Sequence, residues 1–317
     1  MKNKPILIIS GDTQSVFFEI LFKSLKNKKY KSPLILIASQ KMLLSQMRKF
    51  RYKKKINLIN LNYLENKSLK NNCINLINVE YYSKNKSLNN NLYIKECFNI
   101  AFKIIKSGFT YKFINGPVDK SKFLKKKHLG ITEYISKKFE VSKIAMLIYN
   151  KELSVCPATT HVPLKLVSNK ISQKLIREKV FLIDNFFKKK IGHRAKIAVT
   201  GLNPHCESIH KFNEDQKIII PAIKSLKKEG YNVSGPFSAD TIFLKQNRIK
   251  YNVILGMYHD QVLSPIKTLK EYDAINITLG LPFLRVSPDH GPNKSMINKN
   301  LSNPLSLIRA IRFLDNR

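Results

Sequence analysis

Asn252-Val253-Ile254-Leu255-Gly256-Met257-Tyr258-His259-Asp260-Gln261 joins a short apolar run to a dense set of polar groups. The pattern returns at Ala274-Ile275-Asn276-Ile277-Thr278-Leu279-Gly280-Leu281-Pro282-Phe283-Leu284-Arg285. Both runs are rich in β-branched residues and bounded by turn formers, so both read as buried strands. An imidazole, an amine at Lys267, an amide at Asn276 and a guanidinium at Arg285 gather around them. Chemistry hung from strand ends is characteristic of α/β sheets. Taken alone, His259-Asp260 also reads as a capped strand end and Arg285 as a surface cation, since most residues of these types are solvated or satisfied structurally.

Outward from this stretch, strand and helix signals alternate. Lys4 to Ser10, Leu34 to Ala38, Ile56 to Leu61, Ile74 to Val79, Lys112 to Ile114, Ile144 to Tyr149 and Lys196 to Thr200 read as strands. Ser15 to Lys26, Leu164 to about Lys189, Asn213 to Lys228 with a kink at Pro221, and Leu305 to Leu314 read as helices. Ile94, Cys97, Phe98, Ala101, Phe102 and Ile105 fall at helical spacing and Gly108 stands where a C-terminal cap belongs. An Asn/Lys/Ser-rich loop spans Ser83 to Asn91. The alternation predicts an α/β protein with a mixed, largely parallel sheet in two lobes. The first takes residues 1–125 plus 286–317; the second takes 126–285 and carries most of the candidate site residues.

The chain has 317 residues and is 43% hydrophobic, enough to bury a full core. No apolar run approaches the roughly 20 residues that cross a bilayer, and the opening Met1 to Ile9 reads as a first strand rather than a leader. Cys73, Cys97, Cys156 and Cys206 show no CxxC pairing, as expected of free thiols in the cytoplasm. The formal charge of +36 is spread along the chain in short runs such as Lys53-Lys54-Lys55, Lys125-Lys126-Lys127 and Lys188-Lys189-Lys190. No nucleic-acid-binding signature accompanies it, so no specific nucleic acid and no membrane is expected as partner. A broad positive field does favour an anionic, phosphorylated substrate.

Four clusters carry the candidate chemistry. They are Ala158-Thr159-Thr160-His161-Val162-Pro163, Thr200-Gly201-Leu202-Asn203-Pro204-His205-Cys206-Glu207, Ser234-Gly235-Pro236-Phe237-Ser238-Ala239-Asp240-Thr241, and the stretch holding His259. Three histidines at ends of regular elements could converge on one divalent cation, with a coordination position left for substrate oxygen. His128, His193 and His210 lie in Lys/Arg-rich surroundings and read as surface residues. The Asp240 segment also reads as a turn followed by a helix cap.

The order of these segments, with Gly116-Pro117-Val118-Asp119-Lys120 before them and Thr278-Leu279-Gly280-Leu281-Pro282 through Asp289-His290-Gly291 after, resembles the 4-hydroxythreonine-4-phosphate dehydrogenase (PdxA) family of vitamin B6 synthesis. The resemblance runs from Gly11 to about Gly291. It implies an isocitrate/isopropylmalate dehydrogenase-like fold without a Rossmann fingerprint. It implies a homodimer with each active site completed by the partner subunit, and NAD-dependent, divalent-metal-dependent (zinc, magnesium or cobalt) oxidation of 4-phosphooxy-L-threonine. The family's metal-binding histidines fall on His161, His205 and His259; its substrate contacts fall on Thr132, Lys267, Asn276 and Arg285. Asp240 and Lys267 are the candidate catalytic residues, and Asp289, His290 and Gly291 the candidates for the cofactor.

Departures from the family pattern sharpen the expectation. The N-terminal Gly-Asp-Pro-Ala-Gly-Ile-Gly-Pro-Glu appears as Gly11-Asp12-Thr13-Gln14-Ser15-Val16-Phe17-Phe18-Glu19, and Gly-His-Thr-Glu as Gly130-Ile131-Thr132-Glu133. After His205 the glycine-rich segment is shortened to Cys206-Glu207-Ser208, and Asp289-His290-Gly291 runs into Pro292-Asn293. Ile131 removes a hydrogen-bond donor worth about 1–3 kcal/mol if it met a charged phosphate. It leaves room for a related dehydrogenase of a phosphorylated four-carbon sugar acid. A non-catalytic basic protein binding nucleic acid is the alternative of another class.

Overall fold

A computed structural model of the chain describes residues 3–26, 28–64, 68–81, 86–124, 130–207, 212–288 and 291–317. In chain order the elements are β1 (Ile6–Ile9), α1 (Phe17–Leu25), β2 (Leu34–Ala38), α2 (Gln40–Lys49), β3 (Ile56–Leu58), β4 (Ile74–Asn78), α3 (Lys86–Lys106), β5 (Lys112–Asn115) and α4 (Lys120–Leu124). Then come α5 (Ile131–Lys138), β6 (Ala145–Tyr149), β7 (Ser154–Pro157), α6 (Val167–Lys170), α7 (Gln173–Phe186), β8 (Ile197–Thr200) and α8 (Ile220–Lys228). The last are β9 (Val233–Phe237), α9 (Ala239–Ile242), α10 (Lys245–Arg248), β10 (Val253–Gly256), α11 (His259–Lys270), β11 (Ile275–Leu279), β12 (Leu284–Pro288) and α12 (Leu305–Asp315). The chain divides into two compact units, residues 1–131 with 282–317, and residues 132–281.

In the first unit the strands run β3-β4-β2-β1-β5-β12, every pair parallel. Outside the edge strand β3 most of their residues are buried, as in a sheet covered on both faces, which is why β1 and β2 read as continuous apolar runs rather than alternations. Gly11 turns the chain after β1 at φ +73°, where a Cβ would lie 2.3 Å from the Pro117 carbonyl. Asp12 donates its N–H to that same carbonyl and accepts the Gln14 N–H on Oδ1. The buried Glu19 accepts the Ser302 N–H and holds Lys23. The acidic residues kept from the family's N-terminal motif thus have structural partners here.

In the second unit the order is β11-β6-β7-β10-β8-β9. β6 is antiparallel to both its neighbours, while β7, β10, β8 and β9 are mutually parallel. α11 lays Val262, Leu263 and Ile266 against Val155, Ile254 and Ile148 in one apolar cluster. Each such side chain contributes about 1.5–3 kcal/mol on burial.

Several expectations are corrected. The helix read from Leu164 to Lys189 is broken: a short turn at Leu164–Leu166 and α6 end at Ile171, and Ser172 starts α7 afresh by accepting the Leu175 N–H on its hydroxyl. The helix read over Asn213 to Lys228, by contrast, is present: a widened π-turn at Asp215–Ile219 runs without a break into α8, and Pro221 stands directly after it, where the irregular turn accommodates its missing N–H. Part of the Ser83–Asn91 loop belongs to α3, which begins at Lys86. β3 stops at Leu58 rather than Leu61. β9 and β12 lie in segments read for their chemistry rather than as strands, and β7 lies just before one, in a stretch given no element. Gly108 closes α3 at φ +74°, as a C-terminal cap does.

Candidate active site

β7, β10 and β8 are adjacent and parallel, with Pro157 level with Gly256 and Val199 level with Leu255. Their carboxyl ends therefore open on one edge, and the next loops carry His161, His259 and His205 respectively. β9, parallel to β8, ends at Phe237 and delivers the exposed Asp240 in the first turn of α9 on that same edge. Ligands bind outside the carboxyl ends of such strands.

His161 and His259 meet, their ring centres 6.0 Å apart. Each faces a carboxylate with Nδ1: Glu133 Oε1 lies 3.6 Å from His161 and Asp260 Oδ1 2.8 Å from His259. The hydrogen bond at His259 orients its imidazole and leaves Nε2 for a cation, while Glu133 faces His161 at ion-pair range without a hydrogen bond. The buried Nδ1 of His161 has no hydrogen-bond partner at closer range among the described residues. Two imidazoles on one zinc, at about 2.0–2.1 Å per bond, hold their ring centres about 5–6 Å apart, so the pair fits a divalent cation in chemistry and spacing.

His205 is placed otherwise. It sits exposed at φ 55° in a short turn, Pro204–Cys206, and no set of three His, Cys, Asp or Glu side chains is gathered for a metal among the described residues. His161, at φ 45°, shares this left-handed backbone, which is uncommon outside glycine and concentrates at functional sites. The buried Asp215 fixes the loop before His205, accepting the Leu202 and Asn203 N–H groups at 2.8 and 3.1 Å and the Asn203 side-chain amide at 2.9 Å. Gly201 is required there, because a Cβ would stand 2.7 Å from both Asp215 Oδ1 and Cys206 Sγ.

Thr132 lies beside Glu133 on α5 and shares with Thr160 and His161 an open cleft of 760 Å³. Lys267 is half-buried two turns into α11. Asn276, on β11, keeps a buried Oδ1 without a hydrogen-bond partner among the described residues. Arg285, in the other unit, is no surface cation: it is 3% exposed on β12, level with Phe113, and donates from Nε to Asn115 Oδ1 at 2.8 Å. Asp289 and His290 lie outside the described residues, as do His128 and His210, while Gly291 is exposed. His193 is on the surface as expected.

Two features escaped sequence reasoning. Glu133 carries no local signal, because its approach to His161 is a contact between segments far apart in sequence. The first unit also has its own crevice of 190 Å³, lined by Asp12, Thr13, Asn90, Lys122 and Lys294 among others, at the carboxyl ends of β1 and β5. There the sheet order reverses from β2 on one side of β1 to β5 on the other, the usual place for a ligand. Lys294 reaches Asp119 at 2.6 Å across its rim.

The family described as pyridoxal phosphate biosynthetic protein PdxA matches residues 29–314. The chain belongs to the PdxA family. A 4-hydroxythreonine-4-phosphate dehydrogenase of Sulfurihydrogenibium sp. (strain YO3AOP1) is 35% identical over 96% of each chain. A crystal structure of a 4-hydroxythreonine-4-phosphate dehydrogenase from Klebsiella pneumoniae shares the fold, with TM-score 0.82 at 24% identity over 99% of this chain and 100% of that one. The fold extends to a β-decarboxylating dehydrogenase from Thermococcus kodakarensis, with TM-score 0.51 at 11% identity over 97% of this chain and 81% of that one. This PdxA-family chain is an oxidoreductase with an α/β fold shared with that β-decarboxylating dehydrogenase.

Proposed function

We propose that the protein oxidises 4-phosphooxy-L-threonine with NAD to 2-amino-3-oxo-4-phosphooxybutanoate, which loses carbon dioxide to give 3-amino-2-oxopropyl phosphate for pyridoxal phosphate synthesis. The observation that carries the reading is the pairing of His161 and His259, each backed by a carboxylate, at the ends of adjacent parallel strands in a chain of this family.

His161 and His259, with His205 from the neighbouring loop, would hold zinc, magnesium or cobalt. Bound there, the cation supplies Lewis acidity that eases loss of the hydroxyl proton and polarises the new carbonyl. Lys267 takes an anionic end of the substrate as a point charge and Arg285 as a bidentate fork. Thr132 and the open acceptor of Asn276 position the remaining polar groups. Asp240 is suited to receive and pass on a proton at the edge where the histidines emerge. NAD is assigned to the first unit, where Gly291 leads into Lys294 at the crevice beside Asp12; the two residues before Gly291 belong to the same proposal. The working unit is a homodimer whose partner completes each active site, and the proposed compartment is the cytoplasm.

NADH formation by purified protein, monitored with 4-phosphooxy-L-threonine, NAD and each metal in turn, tests the reading. Turnover abolished by His205→Ala or His259→Ala with the fold intact is the expected result; absence of turnover in the wild type with every metal rejects it. A phosphorylated four-carbon sugar acid as substrate is favoured by one observation. Ile131, which stands where the family has a substrate-contacting His, is buried at 6% exposure and offers no side-chain donor. Parallel assays with that substrate decide between the two.

A further inference from the structure

Gln261 stands two residues beyond His259, in the first turn of α11, 8% exposed and outside the set of groups assigned above to substrate or metal. Its side-chain amide makes three hydrogen bonds that tie two segments together. Oε1 accepts from the Met257 N–H at 2.6 Å and from the Thr200 hydroxyl at 2.8 Å, and Nε2 donates to the Gly201 carbonyl at 2.8 Å. Met257 precedes His259 on the loop after β10; Thr200 and Gly201 open the loop that carries His205. The third loop is tied to the same point, because Thr159, two residues before His161, donates its hydroxyl and its N–H to the Met257 carbonyl at 2.8 and 3.2 Å.

From this geometry we infer that Gln261 is a positioning residue that sets the spacing of the three histidine-bearing loops and so tunes affinity for a divalent cation. The inference rests on the metal reading given under Proposed function. An amide is the side chain this junction requires. Both lone pairs of its oxygen are used by donors from two strands, while its nitrogen meets a carbonyl, so neither a carboxylate nor a hydrocarbon of the same size satisfies all three partners. The fit is close: at Gly256 an added Cβ would stand 2.4 Å from Val262 Cγ1 and 3.1 Å from Gln261 Oε1. Burial makes the arrangement stiff, since each bond lost leaves a buried group unpaired.

The test is Co(II) titration of the full-length, metal-free protein, followed by visible absorbance and calorimetry, for wild type, Gln261→Glu, Gln261→Leu and Thr200→Val. Gln261→Glu keeps both acceptor contacts and turns the bond to Gly201 into a repulsion. Thr200→Val removes one hydroxyl at nearly constant volume. Outer partners of metal ligands typically alter affinity about 10–100-fold. We expect Co(II) affinity to fall by about that factor in folded glutamine variants, and by less in Thr200→Val, with a changed d–d band intensity that a purely structural lesion would not produce. Circular dichroism identifies the folded variants; if neither glutamine variant folds, Thr200→Val decides alone. Folded variants that bind Co(II) with wild-type affinity and spectrum overturn the inference and leave the metal reading standing. A wild type that binds no Co(II) overturns the metal reading, and this inference with it.

Discussion

The four cysteines divide by environment. Burial pushes the Cys97 and Cys156 thiols up to about 12, and both side chains are fully enclosed. Cys206 is raised by burial as well but is partly exposed, and Cys73 is partly exposed. Since the thiolate is the reactive form, iodoacetamide on the native protein at pH 8 should label Cys73 and Cys206 and spare Cys97 and Cys156, read by peptide mass spectrometry. Equal labelling at all four would contradict the packing around α3 and β7. Asp215 supports the His205 loop through three donors, and its loss leaves the part-buried Leu202 and Asn203 N–H groups without that acceptor, while the Asn203 amide keeps Glu214. Asp215→Ala should lower unfolding free energy by about 2–4 kcal/mol in urea titrations. A loss below about 1 kcal/mol would mean water reaches that loop freely.

Among the elements, α7 illustrates what local sequence carries. Ile176, Val180 and Ile183 repeat at helical spacing and are buried, so a helix was legible there. The break before it was not, because Ser172 signals a cap only when the chain on its N-terminal side departs from helical geometry. Ser172→Ala should destabilise the protein by about 1 kcal/mol in equilibrium unfolding; no change would indicate that the helix does not begin there. β12 illustrates the opposite case. Nothing near Arg285 in sequence distinguishes a surface cation from a site residue, whereas its partner Asn115 belongs to β5, 170 residues away.

For the molecule as a whole, the charge of +36 acts at a distance. An anionic substrate is drawn by the summed field, and salt screens that attraction, so kcat/KM for a phosphorylated substrate should fall roughly 3–10-fold between about 0.05 and 0.5 M NaCl while kcat holds. A flat salt profile would show the cations to be too dispersed to steer. Arg285→Ala should chiefly raise KM if its guanidinium clamps an anionic group; an unchanged KM would reject that role. Among the described residues no helix is long and apolar enough to cross a membrane.

By itself the sequence determined the α/β class, most strands and the candidate residues, because strand and helix periodicities and turn residues are local and the motif order is linear. It could not say that β7, β10 and β8 lie side by side, and so could not bring His161 to within 6.0 Å of His259, set Glu133 beside His161, or reveal Gln261 as their common tie. Those relations are hydrogen bonds and ring contacts between segments far apart in sequence, and register between strands decides them. For the same reason His205, named with equal force by its motif, is not gathered with the pair into a set of three metal-holding side chains among the described residues: its loop is set by the anchor at Asp215, which residue type alone does not announce.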